Sequence, residues 1–108
     1  VIGNKIKSRN NARTSISFNS GNTGAYKLIG NLYMSSYDDC REGKSRVQDR
    51  LVFIAAYNIF RSGGLNTQAS QAREQFPSME EIFNENLEVG ESMNTGCWIN
   101  ETVTLNKR

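Results

Sequence analysis

Ala25-Tyr26-Lys27-Leu28-Ile29-Gly30-Asn31-Leu32-Tyr33-Met34-Ser35-Ser36-Tyr37 is the stretch on which the fold turns. Two runs of β-type composition, 25–29 and 32–37, flank the dipeptide Gly30-Asn31. Both residues of that pair accept the positive φ that a two-residue hairpin turn demands. The stretch therefore reads as a β-hairpin. Just upstream, residues 14–20 alternate polar and apolar side chains, the pattern of a half-buried strand. Ser20-Gly21-Asn22-Thr23-Gly24 joins that strand to the hairpin as a loop rich in turn-forming residues.

Downstream the period changes. Val47, Leu51, Ile54 and Asn58 fall on one face at helical spacing, and Val52, Phe53, Tyr57, Ile59 and Phe60 widen it, which predicts a helix over 44–61. Because its second half is apolar nearly all round, that helix must be covered on several sides. Ser62-Gly63-Gly64 stops it. A shorter helix is predicted over 67–74, with Asn66 as its cap. Beyond Pro77, Ser78-Met79-Glu80-Glu81 has the capping-box pattern, and Met79, Ile82, Phe83 and Leu87 form an apolar face behind it. Residues 97–106 alternate again, with Cys97, Ile99, Val103 and Leu105 inward and Trp98, Asn100, Thr102 and Thr104 outward.

These elements give the order β-β-β-α-α-α-β. The predicted fold is α+β: a mostly antiparallel sheet of about four strands with two or three helices packed on one side. Residues 1–13 read as a polar basic arm, and 14–108 as a single α+β domain, a usual size for one core.

The chain of 108 residues has no histidine, which excludes imidazole-based nucleophile activation and mixed Cys/His zinc sites. Its two cysteines, Cys40 and Cys97, form no C-x-x-C motif. Cys40 follows the third predicted strand and Cys97 opens the last, so a shared sheet would bring them together at one end. A bridge between them would close a loop of about 58 residues and constrain the unfolded chain by about 4 kcal/mol. Such a bond points to an extracytoplasmic or secreted protein. Val1 in place of an initiating Met, and the dibasic pair Lys107-Arg108, fit a chain cut from a longer precursor or, equally, a trimmed sequence. The most apolar run, 51–60, falls short of the roughly 18–20 residues of a membrane span.

Charge is uneven along the chain. Residues 1–50 hold most of the Lys and Arg, beginning with Lys5, Lys7, Arg9 and Arg13, a basic patch able to attract phosphates. The second half is acidic. Gly43-Lys44-Ser45 superficially matches the end of a phosphate-binding loop, but the position that should hold the first glycine is Asp38. The carboxylates Asp38 and Asp39, and the group Glu80, Glu81 and Glu85, are candidates for acid–base work. A structural role at a helix start suits the second group better. Asn100-Glu101-Thr102 is a glycosylation sequon, one match among 13 asparagines.

The expectation drawn from these residues is a secreted or surface-exposed, non-catalytic interaction protein stabilised by one disulfide, of the kind found as a toxin subunit, effector, or pilus or virion surface component. Its partner would be a protein or a glycan, met by Trp98, Asn100 and Thr102 on an exposed strand face, by Tyr26 and Tyr33 on the hairpin, and by the polar loops 20–24 and 90–96. No metal or cofactor is expected. The alternative is a small nucleic-acid-binding protein using the basic N-terminal half.

Overall fold

Residues 25–34 are helical throughout in the computed structural model, which describes residues 2–108. Helix α1 spans Ile2–Phe18 and α2 spans Thr23–Met34. The one-turn α3 spans Tyr37–Cys40, α4 Arg46–Ser62, α5 Asn66–Arg73 and α6 Met79–Asn84, and strands β1 (Ser92–Asn94) and β2 (Thr102–Thr104) follow. Helix occupies 60% of the chain and strand 6%, which overturns the predicted four-stranded α+β fold. The one sheet among the described residues is the antiparallel pair β1–β2, in the register Ser92↔Thr104, Met93↔Val103, Asn94↔Thr102.

The predicted hairpin fails because Gly30 has a different task. It does not lie at positive φ. A Cβ placed on it would stand 2.2 Å from Cε1 of Phe60, so the missing side chain is what admits the Phe60 ring of α4 against α2. Ala25, Ile29 and Tyr33 recur every fourth residue and are all buried on this face. Asn22 caps the helix, its Oδ1 accepting from the Ala25 amide at 3.1 Å. Gly63, just past α4, repeats the device: its Cβ would meet Cβ of Tyr26 at 2.6 Å.

The predicted strand over 14–20 is instead the end of α1. Thr14 Oγ1 donates to the Asn10 carbonyl at 3.1 Å, Ser15 Oγ to Asn11 at 3.3 Å, and Ser17 Oγ to Thr14 at 2.6 Å. The hydroxyls that argued for a strand are bonded back into the helix. The expected arm boundary at residue 13 thus falls inside α1. Of the α1 side chains only Ala12 is fully buried; Lys5, Ile6, Ser8, Arg9 and Ile16 are half-buried on the same side.

Helix α4 is the centre of the core, with residues 51–56 all buried between α2 and α5. It starts at an N-cap, Ser45, whose Oγ accepts from the Gln48 amide at 2.9 Å, and it ends at Gly63. Tyr37 stacks on Phe53 at 5.1 Å between centroids, and Tyr57 meets Phe76 edge-on at 5.4 Å. The capping box of α6 is complete: the Ser78 amide donates to Glu81 Oε1 at 2.8 Å and Ser78 Oγ accepts from the Glu81 amide at 3.1 Å. Behind it Ile82 is buried and Leu87 half-buried, while Met79 and Phe83 face outward.

The predicted strand over 97–106 survives only as β2. Gly96, Cys97 and Asn100 take positive φ (66°, 56° and 47°), which folds residues 95–101 into a tight loop. The loop is closed by the Thr95 amide donating to the Glu101 carbonyl at 2.8 Å, and the Glu101 amide donating to Thr95 Oγ1 at 3.0 Å. Within β2 the alternation holds: Val103 is buried and Thr102 and Thr104 are exposed.

Candidate functional site

The 95–101 loop is the feature that organises the polar residues. Its backbone reverses direction between two short strands and drives Trp98 and Ile99 into the core, where they are 9% and 2% exposed. Trp98, expected on an exposed face, is therefore an interior residue. Its indole N–H donates to Ser36 Oγ at 3.0 Å, and Ser36 donates in turn to the Leu32 carbonyl at 2.7 Å. Tyr33 packs edge-on against the indole at 5.5 Å.

Three cations of α1 converge on this centre. Lys5, Arg9 and Arg13 are spaced by four, so a helix puts them in one row. Lys5 Nζ pairs with Asp39 Oδ2 at 2.9 Å and reaches Ser36 Oγ at 3.2 Å. The Arg9 guanidinium lies 4.9 Å from the Trp98 ring centroid and donates to the Ile99 carbonyl at 3.0 Å. Arg9 Nε is buried without a partner. Arg13 Nη2 pairs with Glu101 Oε2 at 3.1 Å and touches the Tyr33 hydroxyl at 3.3 Å. The Tyr33 hydroxyl donates to Glu101 as well. Burial first, and then that bond to a carboxylate, pushes the Tyr33 phenol up to about 12. The hydrogen bond from Lys5 holds the Asp39 carboxyl below its ordinary value.

Two groups of residues that the sequence kept apart thus meet. Tyr33 and Trp98, expected as contact residues, lie inside, and Arg9 and Arg13, expected as a basic patch, meet them from the half-buried and exposed rim. Lys7 is exposed on the other side of α1, Tyr26 is half-buried against Gly63, and Asn100 and Thr102 are exposed at the outer side of the loop. Glu101, Ser36 and Asp39, which complete the cluster, were not singled out as its members. The signal that could have found them is the row Lys5, Arg9, Arg13 in a segment otherwise short of apolar residues, since such a row needs acceptors.

The Cys40–Cys97 disulfide is formed, with the Cα atoms 5.7 Å apart. It joins the end of α3 to the residue before Trp98. Cys97 is exposed and Cys40 half-buried, and both border a cleft of about 340 Å³.

Of the remaining candidates for chemistry, Asp49, Glu81 and Glu85 are engaged by the chain's own donors, while Asp38 and Glu80 are exposed. Asp49 accepts from the amides of Glu42 at 2.9 Å and Gly43 at 3.1 Å, filling with a carboxylate the donors a phosphate would need. Glu85 accepts from Ser45 Oγ and from the Val47 amide. Glu81 is held below its ordinary pKa by the backbone bond from Ser78. Asp38 is exposed, with Arg41 at 3.9 Å. A cleft of about 640 Å³ runs past Lys44, Arg46, Glu80, Glu81, Glu85 and Arg108. Its opposite charges lie side by side, as in the Arg46–Glu81 pair at 3.7 Å. Among the described residues no cluster of three or more Cys, Asp or Glu is placed to hold a metal ion, and no helix is long and apolar enough to cross a membrane. No protein family, curated protein or solved structure matches the chain.

Proposed function

We propose that the protein is a disulfide-tied helical interaction module of an extracytoplasmic compartment, acting through contact and not through catalysis. The Cys40–Cys97 bond carries this reading, because a bond bordering an open cleft, with one half-cystine exposed, persists where the surroundings are oxidising. The engagement of Asp49, Glu81 and Glu85 by backbone donors supports the non-catalytic part. With Trp98 inside, the contact role passes to the apolar side chains the fold leaves outside. Met79 and Phe83, one turn apart on α6, are 53% and 76% exposed. A protein surface is the partner that apolar side chains of this kind fit.

Intact mass of protein isolated from its source under thiol trapping tests the compartment. A two-hydrogen deficit with no trapped thiol is the expected result, and two alkylated cysteines would overturn it. Phe83→Ser tests the contact role: the melting temperature should stay within about 2 °C, since exposed side chains contribute within about 0.5 kcal/mol. A larger fall would return Phe83 to the fold. Nucleic-acid binding through the basic N-terminal half loses support, because Lys5, Arg9 and Arg13 are engaged by the chain's own acceptors.

A further inference from the structure

Two of the three cations that dock α1 end within two residues of a half-cystine, and the third ends on the same loop. Lys5 pairs with Asp39, the neighbour of Cys40. Arg9 bonds the Ile99 carbonyl, two residues after Cys97, and lies over Trp98, one residue after it. Arg13 pairs with Glu101 at the far end of the same loop. The rest of its attachment is a thin apolar seam along α2, with Ala12 buried and Ile6 and Ile16 half-buried against the core. From this placement we infer that α1 is a redox-conditioned strap: the Cys40–Cys97 bond holds its acceptors in register, and reducing the bond releases α1 from the Trp98 loop while the α4 core stays folded. This goes beyond the interaction reading and does not depend on any partner.

The chemistry needs a dithiol reductant, which the cleft beside the bond admits. Its thiolate attacks Sγ of Cys97, the more exposed of the two half-cystines, the Cys40–Cys97 bond breaks, and Cys40 leaves as a thiolate that takes a proton from water. The second thiol of the reductant, deprotonated, then attacks its own sulfur in the mixed disulfide. Cys97 is released as a thiolate and protonated, and the reductant ends as a disulfide. Two electrons and two protons pass to the protein. The thiols no longer fix Cys97, whose positive φ is one of the turns presenting the Trp98 and Ile99 carbonyls to Arg9.

Linkage makes the inference reciprocal. Whatever factor reduction takes from α1 docking, undocking α1 must give back as easier reduction. Amide hydrogen exchange is followed for the oxidised protein and for protein reduced with dithiothreitol. Protection of the α1 amides 6–16 should fall at least tenfold on reduction, with residues 51–56 of α4 unchanged. The fluorescence of the single tryptophan, Trp98, should shift to the red. In a buffer of reduced and oxidised dithiothreitol, Arg9→Gln should move the thiol–disulfide equilibrium toward the thiols by several-fold, and Lys5→Gln gives the same reading should the first variant fail to fold. Unchanged α1 protection would overturn the inference. So would loss of α1 and α4 together, which would make the bond a staple of the whole fold, or an equilibrium unmoved in the variants.

Discussion

Gly30→Ala should destabilise the protein although Ala is the better helix former. In an exposed helix interior the change would gain about 1 kcal/mol. Here the new Cβ would lie 2.2, 2.5 and 2.6 Å from three ring carbons of Phe60, which is itself 2% exposed and has nowhere to move. Overpacking costs about 1–3 kcal/mol, and three such overlaps on one rigid ring put the cost at the top of that range. The net loss is about 2 kcal/mol, or about 8 °C of melting temperature at this chain length. Denaturant unfolding of the oxidised protein, followed by far-ultraviolet circular dichroism, measures it. Phe60→Leu frees the space for about 1 kcal/mol of its own. In the double variant Gly30→Ala/Phe60→Leu the two losses should therefore not add, with a coupling of at least 1 kcal/mol. Additivity within about 0.5 kcal/mol would show that the two positions do not touch and would refute the α2–α4 packing.

Raised to about 12 from 10.0, Tyr33 stays protonated in the folded chain while the unfolded chain ionises; stability should be intact below pH 10 and fall between pH 10 and 12 by up to about 2–3 kcal/mol, a step that Tyr33→Phe should abolish in urea titrations. Lys5→Gln should return the Asp39 carboxyl toward 3.8, seen by side-chain NMR titration; in the native protein its stabilising share is present above that value and lost as pH falls through the lowered one. Ser78→Ala removes the α6 cap and should cost about 1 kcal/mol in chemical denaturation, with Ile82 and the core otherwise unmoved.

What could be read in the sequence was whatever local chemistry decides. The core helix α4, its glycine stop and the capping box of α6 follow from apolar spacing and from side chains that bond their own backbone, and all are present. The disulfide was legible too, although the shared sheet invoked to bring the cysteines together does not exist. What could not be read was set by tertiary contact. Gly30 looks the same in sequence whether it supplies a turn or a groove for a ring, and only Phe60, distant in sequence but in contact in the packing, distinguishes the two. Alternation misled at 14–20 because Ser and Thr hydroxyls can bond the preceding helical turn as readily as they sit on a strand. It misled at Trp98 because the two positive-φ residues Gly96 and Cys97 turn the chain just before it, so the outward side of a strand becomes the inward side of a loop.

Helix α1 carries the same lesson into energetics. Its 17 residues include Gly3, three asparagines and a run of Ser and Thr, none of them strong helix formers. An isolated helix of that length is marginal even with better residues. An apolar stripe would normally supply the missing stability, but Ala12 is its one fully buried member. Part of the burden falls on Lys5, Arg9 and Arg13, although Lys5 meets the exposed Asp39 and Arg13 is itself half exposed, so solvent screens both of those pairs. The acceptors of Arg9 and Arg13 in the 95–101 loop exist only once that loop has folded over Trp98, whereas Lys5 is met by Ser36 and Asp39. Helix α1 must then form late, on a surface the rest of the chain has already built. One side of that surface is α2 itself, and the other is the loop that the bond at Cys97 anchors.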